Sequence, residues 1–204
     1  YNVPVIGIPG TIDNDLAYTD YTLGFDTAVN TVVNLVNNVR DTSMSHDRVS
    51  IIEVMGAGCG DVALNAGLAA GADVILVPEV KWSIDDVCEK LNNAKKCGKQ
   101  CSIIILSEHV CDPSDLTKMI TVKSGLDCRS VILGHVQRGG TPTMFDRMLA
   151  AKFGVKAIDL LLEGKTNRVV GCKGKEIFDL DITEALSQKK EFDKDLYKMA
   201  TILT

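Results

Sequence analysis

Along this chain, apolar runs of strand length alternate with longer stretches whose apolar residues return every three or four positions. Val3 to Ile8 is the first apolar run. It reads as a buried strand, broken by Pro9-Gly10. From Asp26 to Arg40, Val29, Val32, Val33, Val36 and Val39 form one stripe, with Asn30, Asn34, Asn37 and Asn38 on the other side, which predicts a helix. Its β-branched valines lower helix propensity slightly, so packing must hold it. Val49 to Met55 reads as a strand and Gly56 to Gly60 as a loop, followed by a small-residue helix to Ala70 with Asp61 as its expected cap. Val74 to Val77 is a strand stopped by Pro78. Ser83 and Asp86 then have capping-box spacing for a helix to about Cys97, with Gly98 placed to end it. The unbroken run Ile103 to Leu106 suits a parallel strand buried on both faces. Asp112-Pro113 opens a helix that Gly125 follows, and Val131 to Leu133 is a strand leading to Gly139-Gly140. Phe145 to Leu162 is the longest helix, ended by Gly164. Val169-Val170 is a short strand, and the chain from Thr183 onward reads as helical.

This alternation implies an α/β fold, with parallel sheets, right-handed crossovers and helices on both faces. At 204 residues the chain can bury one large core or two small ones. A net charge of -5 gives no support to a nucleic-acid surface. No apolar run reaches the ~18 residues that a membrane span needs, and no signal peptide is visible. The seven cysteines are odd in number and form no C-x-x-C pair. Cys97 and Cys101 lie four apart without a histidine cluster, so free thiols in a reducing, cytoplasmic setting are expected.

The chemistry gathers at Pro9-Gly10-Thr11-Ile12-Asp13-Asn14-Asp15. Asp13 and Asp15 stand beyond the carboxyl end of the first strand, where open α/β sheets bind ligands. One carboxylate can take a proton from a hydroxyl while the other sits near a divalent cation, a pairing that suits phosphoryl transfer.

The same run, followed by Thr19-Asp20-Tyr21-Thr22 and Gly24-Phe25-Asp26-Thr27-Ala28, resembles the bacterial type of ATP-dependent 6-phosphofructokinase. Further matches are Ser45-His46-Asp47-Arg48, Glu53-Val54-Met55-Gly56, Ser107-Glu108-His109 and Gly134-His135-Val136-Gln137-Arg138-Gly139-Gly140. The resemblance implies the phosphofructokinase fold of two interleaved Rossmann-like α/β domains. Residues 25–136 would bind fructose 6-phosphate, residues 1–24 and 137–188 would belong to the nucleotide domain, and a helical tail, 189–204, would return to the first domain. It implies transfer of the γ-phosphate of ATP to the sugar's 1-hydroxyl, with Mg2+, in a homotetramer whose sites are shared between subunits, and with no nucleic acid or membrane as partner. Asp13 would be the base, Asp15 would assist near Mg2+, and Thr11 would bond the transferring group. Arg48, Arg129, His135 and Arg138 would hold the 6-phosphate, Arg48 and Arg129 reaching a neighbour's site. Glu108 would bond sugar hydroxyls, and Met55 and Gly56 would contact the sugar. Arg40 and Lys99 match effector-binding positions, and Asp73 stands at that site where glutamate often helps hold the effector's Mg2+. The resemblance also places Tyr1 about a third of the way along such an enzyme, behind the ATP-phosphate loop, so the chain alone is expected to have no kinase activity.

Two departures stand out. Ala57 occupies a position where bacterial members usually carry an arginine that would help neutralise the transferring phosphate, and Cys97 stands where a lysine is typical of the effector site, so the site through which ADP and phosphoenolpyruvate would act is only partly matched. Two other readings remain open. One is a pyrophosphate-dependent relative, against which Gly10 argues because such enzymes typically carry lysine there. The other is a non-catalytic sugar-phosphate-binding regulatory subunit, against which Asp13 and Asp15 argue.

Overall fold

The computed structural model describes residues 3–203 and builds them into two sheets. Tyr1 and Asn2, which open the expected 1–24 segment, and Thr204, which closes the expected tail, lie outside the described residues.

The larger sheet holds β2 (Val49–Val54), β3 (Val74–Leu76), β4 (Ser102–Ser107) and β5 (Cys128–Ile132), in the order β3-β4-β2-β5 and all parallel. β4 has a strand on either side and every residue buried, which is why its sequence is an unbroken apolar run. Alternate residues serve opposite faces. Ile52, Val54, Ile75, Ile103 and Ile105 pack under α1 (Phe25–Met44), α2 (Asp61–Ala70) and α7 (Lys194–Leu203). Ile51, Leu76, Ile104 and Leu106 pack under α3 (Ile84–Lys96) and α4 (Pro113–Ser124). The caps of α3 and α4 form as their spacing predicts. Ser83 accepts from the Asp86 N–H, and Asp112 from the Asp115 N–H ahead of Pro113.

The smaller sheet runs β1 (Ile6–Gly7), β6 (Arg168–Lys173), β7 (Glu176–Asp181). The long helix α5 (Met144–Leu162) sets Leu149, Phe153, Ala157 and Leu160 on Val170 and Cys172 of β6. The short α6 (Ile182–Ser187) follows β7, and residues 188–193 separate it from α7, so the stretch expected to be helical from Thr183 onward is broken, and α7 alone forms the tail's helix.

Several expected elements are corrected. The first run forms a strand over only two residues, and Val3, Val5 and Ile8 are exposed rather than buried. Among the described residues β1 pairs only with β6, so it is an edge strand. Asp61 does not cap α2. Gly60 holds the N-cap position, and Asp61 turns its carboxylate to Asn14 (3.0 Å) and Lys190 (3.0 Å) instead. β5 starts three residues earlier than the apolar run suggests, because its register is set by pairing with β2. Arg129 to Ile132 are exposed at the sheet edge, so its pattern carries little signal. The expected strand Val169-Val170 extends over all of β6. β7, which no pattern announced, joins it through a two-residue Gly174-Lys175 turn, and this pair is antiparallel rather than parallel.

Candidate functional site

The carboxyl ends of β2, β4 and β5 carry three loops that meet the stretch following β1. After β1 the chain turns through Pro9 into Thr11, Asp13 and Asp15. The Thr11 hydroxyl lies 3.4 Å from Asp13 Oδ2, and its oxygen accepts the Asp13 N–H at 3.2 Å. The other carboxylate oxygen, Oδ1, is buried with no hydrogen-bond partner among the described residues. A buried carboxylate oxygen without a donor is costly, so its geometry is one that a ligand hydroxyl would complete. Burial raises the Asp13 pKa above the ordinary carboxylate value. The Asp15 charge pushes the same way, the Thr11 bond opposes it, Glu108 raises it further, and Arg138 pulls it down. These opposing charges place Asp15, Glu108 and Arg138 around one carboxylate. A raised pKa makes Asp13 a stronger base than an exposed aspartate.

Asn14, between the two aspartates, holds the loop in shape. It is 4% exposed, with φ at +52°. Its amide donates to the Asp20 carbonyl (3.1 Å) and to Asp61 (3.0 Å), and its oxygen accepts the Thr22 N–H (3.0 Å). Thr22 in turn donates its hydroxyl to the Thr11 carbonyl at 2.6 Å.

Glu108 follows β4. Its Oε1 accepts the N–H groups of Gly56 (2.9 Å) and Ala57 (2.8 Å), which pins the loop after β2. Gly56 must be glycine, because a Cβ there would collide with the Cys59 carbonyl oxygen. Ala57 holds the left-handed conformation, φ +51°, and its side chain is exposed. Met55 donates its N–H at 3.1 Å to the Gln137 side chain, whose amide donates at 3.0 Å to the Gly134 carbonyl. Gln137 is 1% exposed and sits in a 3-10 helix, Gly134–Arg138, that presents exposed His135 and Arg138. Asn14 and Gln137 lie inside the matched motifs, but nothing in the sequence assigns either of them a task. Their burial, which no spacing shows, is what marks them.

Arg48 and Arg129 stand elsewhere. Arg48 precedes β2 and Arg129 is the second residue of β5, so both lie at the amino edge of the sheet. They share Asp127, Arg48 at 2.9 Å and Arg129 at 3.6 Å, and the bond from Arg48 holds the Asp127 carboxyl below its usual range. The six residues of β2 separate Arg48 from Met55, roughly 20 Å of strand. Within one chain, these arginines cannot reach the phosphate that His135 and Arg138 would hold.

The expected effector residues are already engaged, Asp73 with Lys99 and Arg40 with backbone carbonyls. Asp73 binds Lys99 through one oxygen and accepts the Ile103 N–H at 2.8 Å through the other. Arg40 donates to the carbonyls of Ala70 and Gly71 at the end of α2. Gly10 is exposed, and a Cβ built on it meets nothing within 4 Å. Burial makes several of the cysteines poor nucleophiles. All seven are free, and burial pushes Cys59 up to about 12 and Cys111 and Cys128 to about 11. Among the described residues no group of three or more His, Cys, Asp or Glu is arranged to hold a metal ion, and no helix is long and apolar enough to cross a membrane.

A sequence model described as phosphofructokinase matches residues 1–161. The chain is 59% identical to the ATP-dependent 6-phosphofructokinase of Clostridioides difficile strain 630, over 98% of its own length and 63% of that protein. It is 54% identical to the ATP-dependent 6-phosphofructokinase of Alkaliphilus metalliredigens strain QYMF, over 99% of its length and again 63% of the relative. The chain thus spans about five-eighths of the length of these curated relatives. Among solved structures, a phosphofructokinase from Saccharomyces cerevisiae superposes with a TM-score of 0.86 at 31% identity, covering 98% of this chain and 27% of that one. A pyrophosphate-dependent phosphofructokinase from Marinobacter aquaeolei has the same fold, with a TM-score of 0.83 at 22% identity, covering 100% of this chain and 60% of that one. With the family pattern matched over most of its length and relatives more than half identical along nearly all of it, the chain belongs to the phosphofructokinase family.

Proposed function

We propose that this chain carries the catalytic and sugar-phosphate part of an ATP-dependent 6-phosphofructokinase. The observation that carries the proposal is the buried, unpartnered Oδ1 of Asp13, raised in basicity and set beside Asp15 at the carboxyl edge of the sheet. Asp13 accepts the proton of the 1-hydroxyl of fructose 6-phosphate as the sugar oxygen bonds to the γ-phosphorus. The bond from that phosphorus to the bridging oxygen of ATP breaks, leaving ADP and fructose 1,6-bisphosphate. Thr11 stands within reach of the same centre to bond a phosphoryl oxygen.

A magnesium ion suits the donor set. Mg2+ keeps several waters and joins one or two carboxylates to substrate phosphates; exposed Asp15 would supply that carboxylate, leaving the free oxygen of Asp13 for the sugar hydroxyl. Bound there, the ion would supply positive charge toward the phosphoryl oxygens. The open space at Gly10 favours a nucleotide as donor, since no side chain fills it, and the names of the relatives agree with this choice. Residues of the larger sheet would form the sugar-phosphate half and those of the smaller sheet the nucleotide half. Seven free thiols accord with a cytoplasmic enzyme.

Glu108 has one oxygen committed to the loop after β2 and a second left for a sugar hydroxyl. His135 and Arg138 would hold the 6-phosphate from the same chain. Arg48 and Arg129, at the far edge, would complete that phosphate site in a second copy, as in a homotetramer. Arginine's planar fork fits phosphate oxygens. Arg40, Asp73 and Lys99 would form part of an effector site only after their present pairings open.

The test is a coupled assay of the full-length protein on fructose 6-phosphate with ATP and with pyrophosphate. Turnover with ATP alone is expected; turnover with pyrophosphate alone would overturn the choice of donor. Arg48→Ala and Arg129→Ala are expected to raise KM for fructose 6-phosphate with little change in kcat, because the 6-phosphate is bound alike in ground and transition states. An unchanged KM removes that arginine from the phosphate site. If the sites are shared, mixing Arg48→Ala with an Asp13 variant restores activity in hybrids that pair an intact Asp13 with an intact Arg48.

A further inference from the structure

α1 begins without a cap of its own. Its N-cap residue is Gly24, at φ +101°, which has no side chain to offer the helix's first N–H groups. A carboxylate from α5 takes that role. Asp146, 5% exposed, accepts the Gly24 N–H through Oδ1 at 3.0 Å and the Thr27 N–H through Oδ2 at 2.9 Å, and the Thr27 hydroxyl donates to the same Oδ2. The arrangement is reciprocal. Thr143, the N-cap of α5, accepts the Asp146 N–H at 3.2 Å and donates its hydroxyl to Asp26 of α1, while its own N–H donates to the Thr27 hydroxyl at 3.2 Å. A residue of α5 therefore caps α1, and residues of α1 hold the N-cap residue of α5.

What each side of this clasp carries gives it meaning. On the α1 side, Leu23 donates its N–H to the Pro9 carbonyl at 2.9 Å, and Thr22 bonds Thr11 and Asn14 on either side of Asp13. On the α5 side, the chain runs back through Gly140 and Gly139 to Arg138. Gly140, at φ +113°, lies against α1, where a Cβ would come within 3.0 Å of the Thr31 hydroxyl, and that hydroxyl donates to the Gly139 carbonyl at 3.4 Å. Asp146 thus stands between the loop that aims Asp13 and the turn that ends in Arg138.

We propose that Asp146, with Thr27, is a positioning residue that fixes the distance between Asp13 and Arg138, hence between the reacting hydroxyl and the sugar's 6-phosphate. This inference rests on the functional reading above and adds to it a determinant that touches neither substrate. A misplacement of ~1 Å by a residue remote from the chemistry can cost about 10²-fold.

The experiment is steady-state kinetics on the full-length protein with Asp146→Asn, Thr27→Val and Thr27→Ser. Asp146→Asn keeps the shape but points an NH2 group at N–H donors. It is expected to lower kcat and raise KM for fructose 6-phosphate together, about 10²-fold in kcat/KM, with KM for ATP unchanged. Thr27→Val is expected to shift the same two constants, and Thr27→Ser, which keeps the hydroxyl, to restore them. A purely structural role would reduce the amount of folded enzyme and leave both KM values where they were; that result overturns the proposal. If Asp146→Asn does not fold, the Thr27 pair decides, and equal kinetics for valine and serine reject the idea. A wild type inactive on fructose 6-phosphate with either donor overturns the functional reading instead. The clasp is then read from amide exchange: faster exchange of the Gly24 and Thr27 N–H groups in Asp146→Asn supports it, and unchanged protection rules it out.

Discussion

Asp13→Asn in the full-length protein is expected to lower kcat by ~10²–10⁴-fold, the usual worth of a positioned general base, with little change in KM for fructose 6-phosphate. The substitution keeps the size of the side chain, so the Thr11 contacts have a partner of the same shape. What it removes is an acceptor whose basicity is raised by burial and by Asp15. Proton acceptance occurs only as the transition state forms, so ground-state binding is spared. Steady-state kinetics at saturating ATP decide the matter. A kcat within a few-fold of wild type would reduce Asp13 to a turn residue and remove the base from the mechanism. A large rise in KM with kcat kept would instead make it a ligand of the sugar.

Much of the larger sheet could be read from the chain because its residues have one burial option. β4 is enclosed on all sides, so its run of isoleucines admits no other placement, and the caps at Ser83 and Asp112 are local features that tertiary context has no cause to override. The edges were harder to read. β5 exposes four of its five residues, so nothing in its alternation marks where pairing with β2 begins. β7 mixes acidic and apolar residues, and its hairpin depends on a single glycine, Gly174 at φ +55°, in a two-residue turn.

The site divides in the same way. Asp13, Asp15, Glu108 and Arg138 come together because they all follow strands at the carboxyl edge, a rule that applies before any coordinates exist. The residues that hold them in place were not legible. Asn14, Gln137 and Asp146 act through burial and long-range bonds, Asp146 across 122 residues to Gly24. A buried polar side chain looks like any other until its partners are known. The separation of Arg48 and Arg129 from the rest also follows from the fold, since residues at opposite ends of parallel strands cannot share one ligand.

Ala57→Arg tests whether the loop after β2 lacks a charge. The Ala57 N–H is bonded to Glu108 at 2.8 Å, and Glu108 lies in the electrostatic field of Asp13, so the backbone here is at the proposed reacting centre while the methyl group points to solvent. A guanidinium on this exposed position has room to extend toward the phosphoryl oxygens, where alanine offers nothing. The left-handed backbone, φ +51°, is already imposed on a residue with a Cβ, so arginine adds little strain beyond that of alanine. One preorganised donor to charge that develops in the transition state is worth ~10²–10³-fold in rate. The expected result is a kcat raised toward that factor, with a smaller change in KM for fructose 6-phosphate and an unchanged circular dichroism spectrum. A folded variant with kcat unchanged or lower would mean that the transferring group already has its full complement of cations. The Glu108-held loop would then serve to shape the sugar pocket rather than to carry charge.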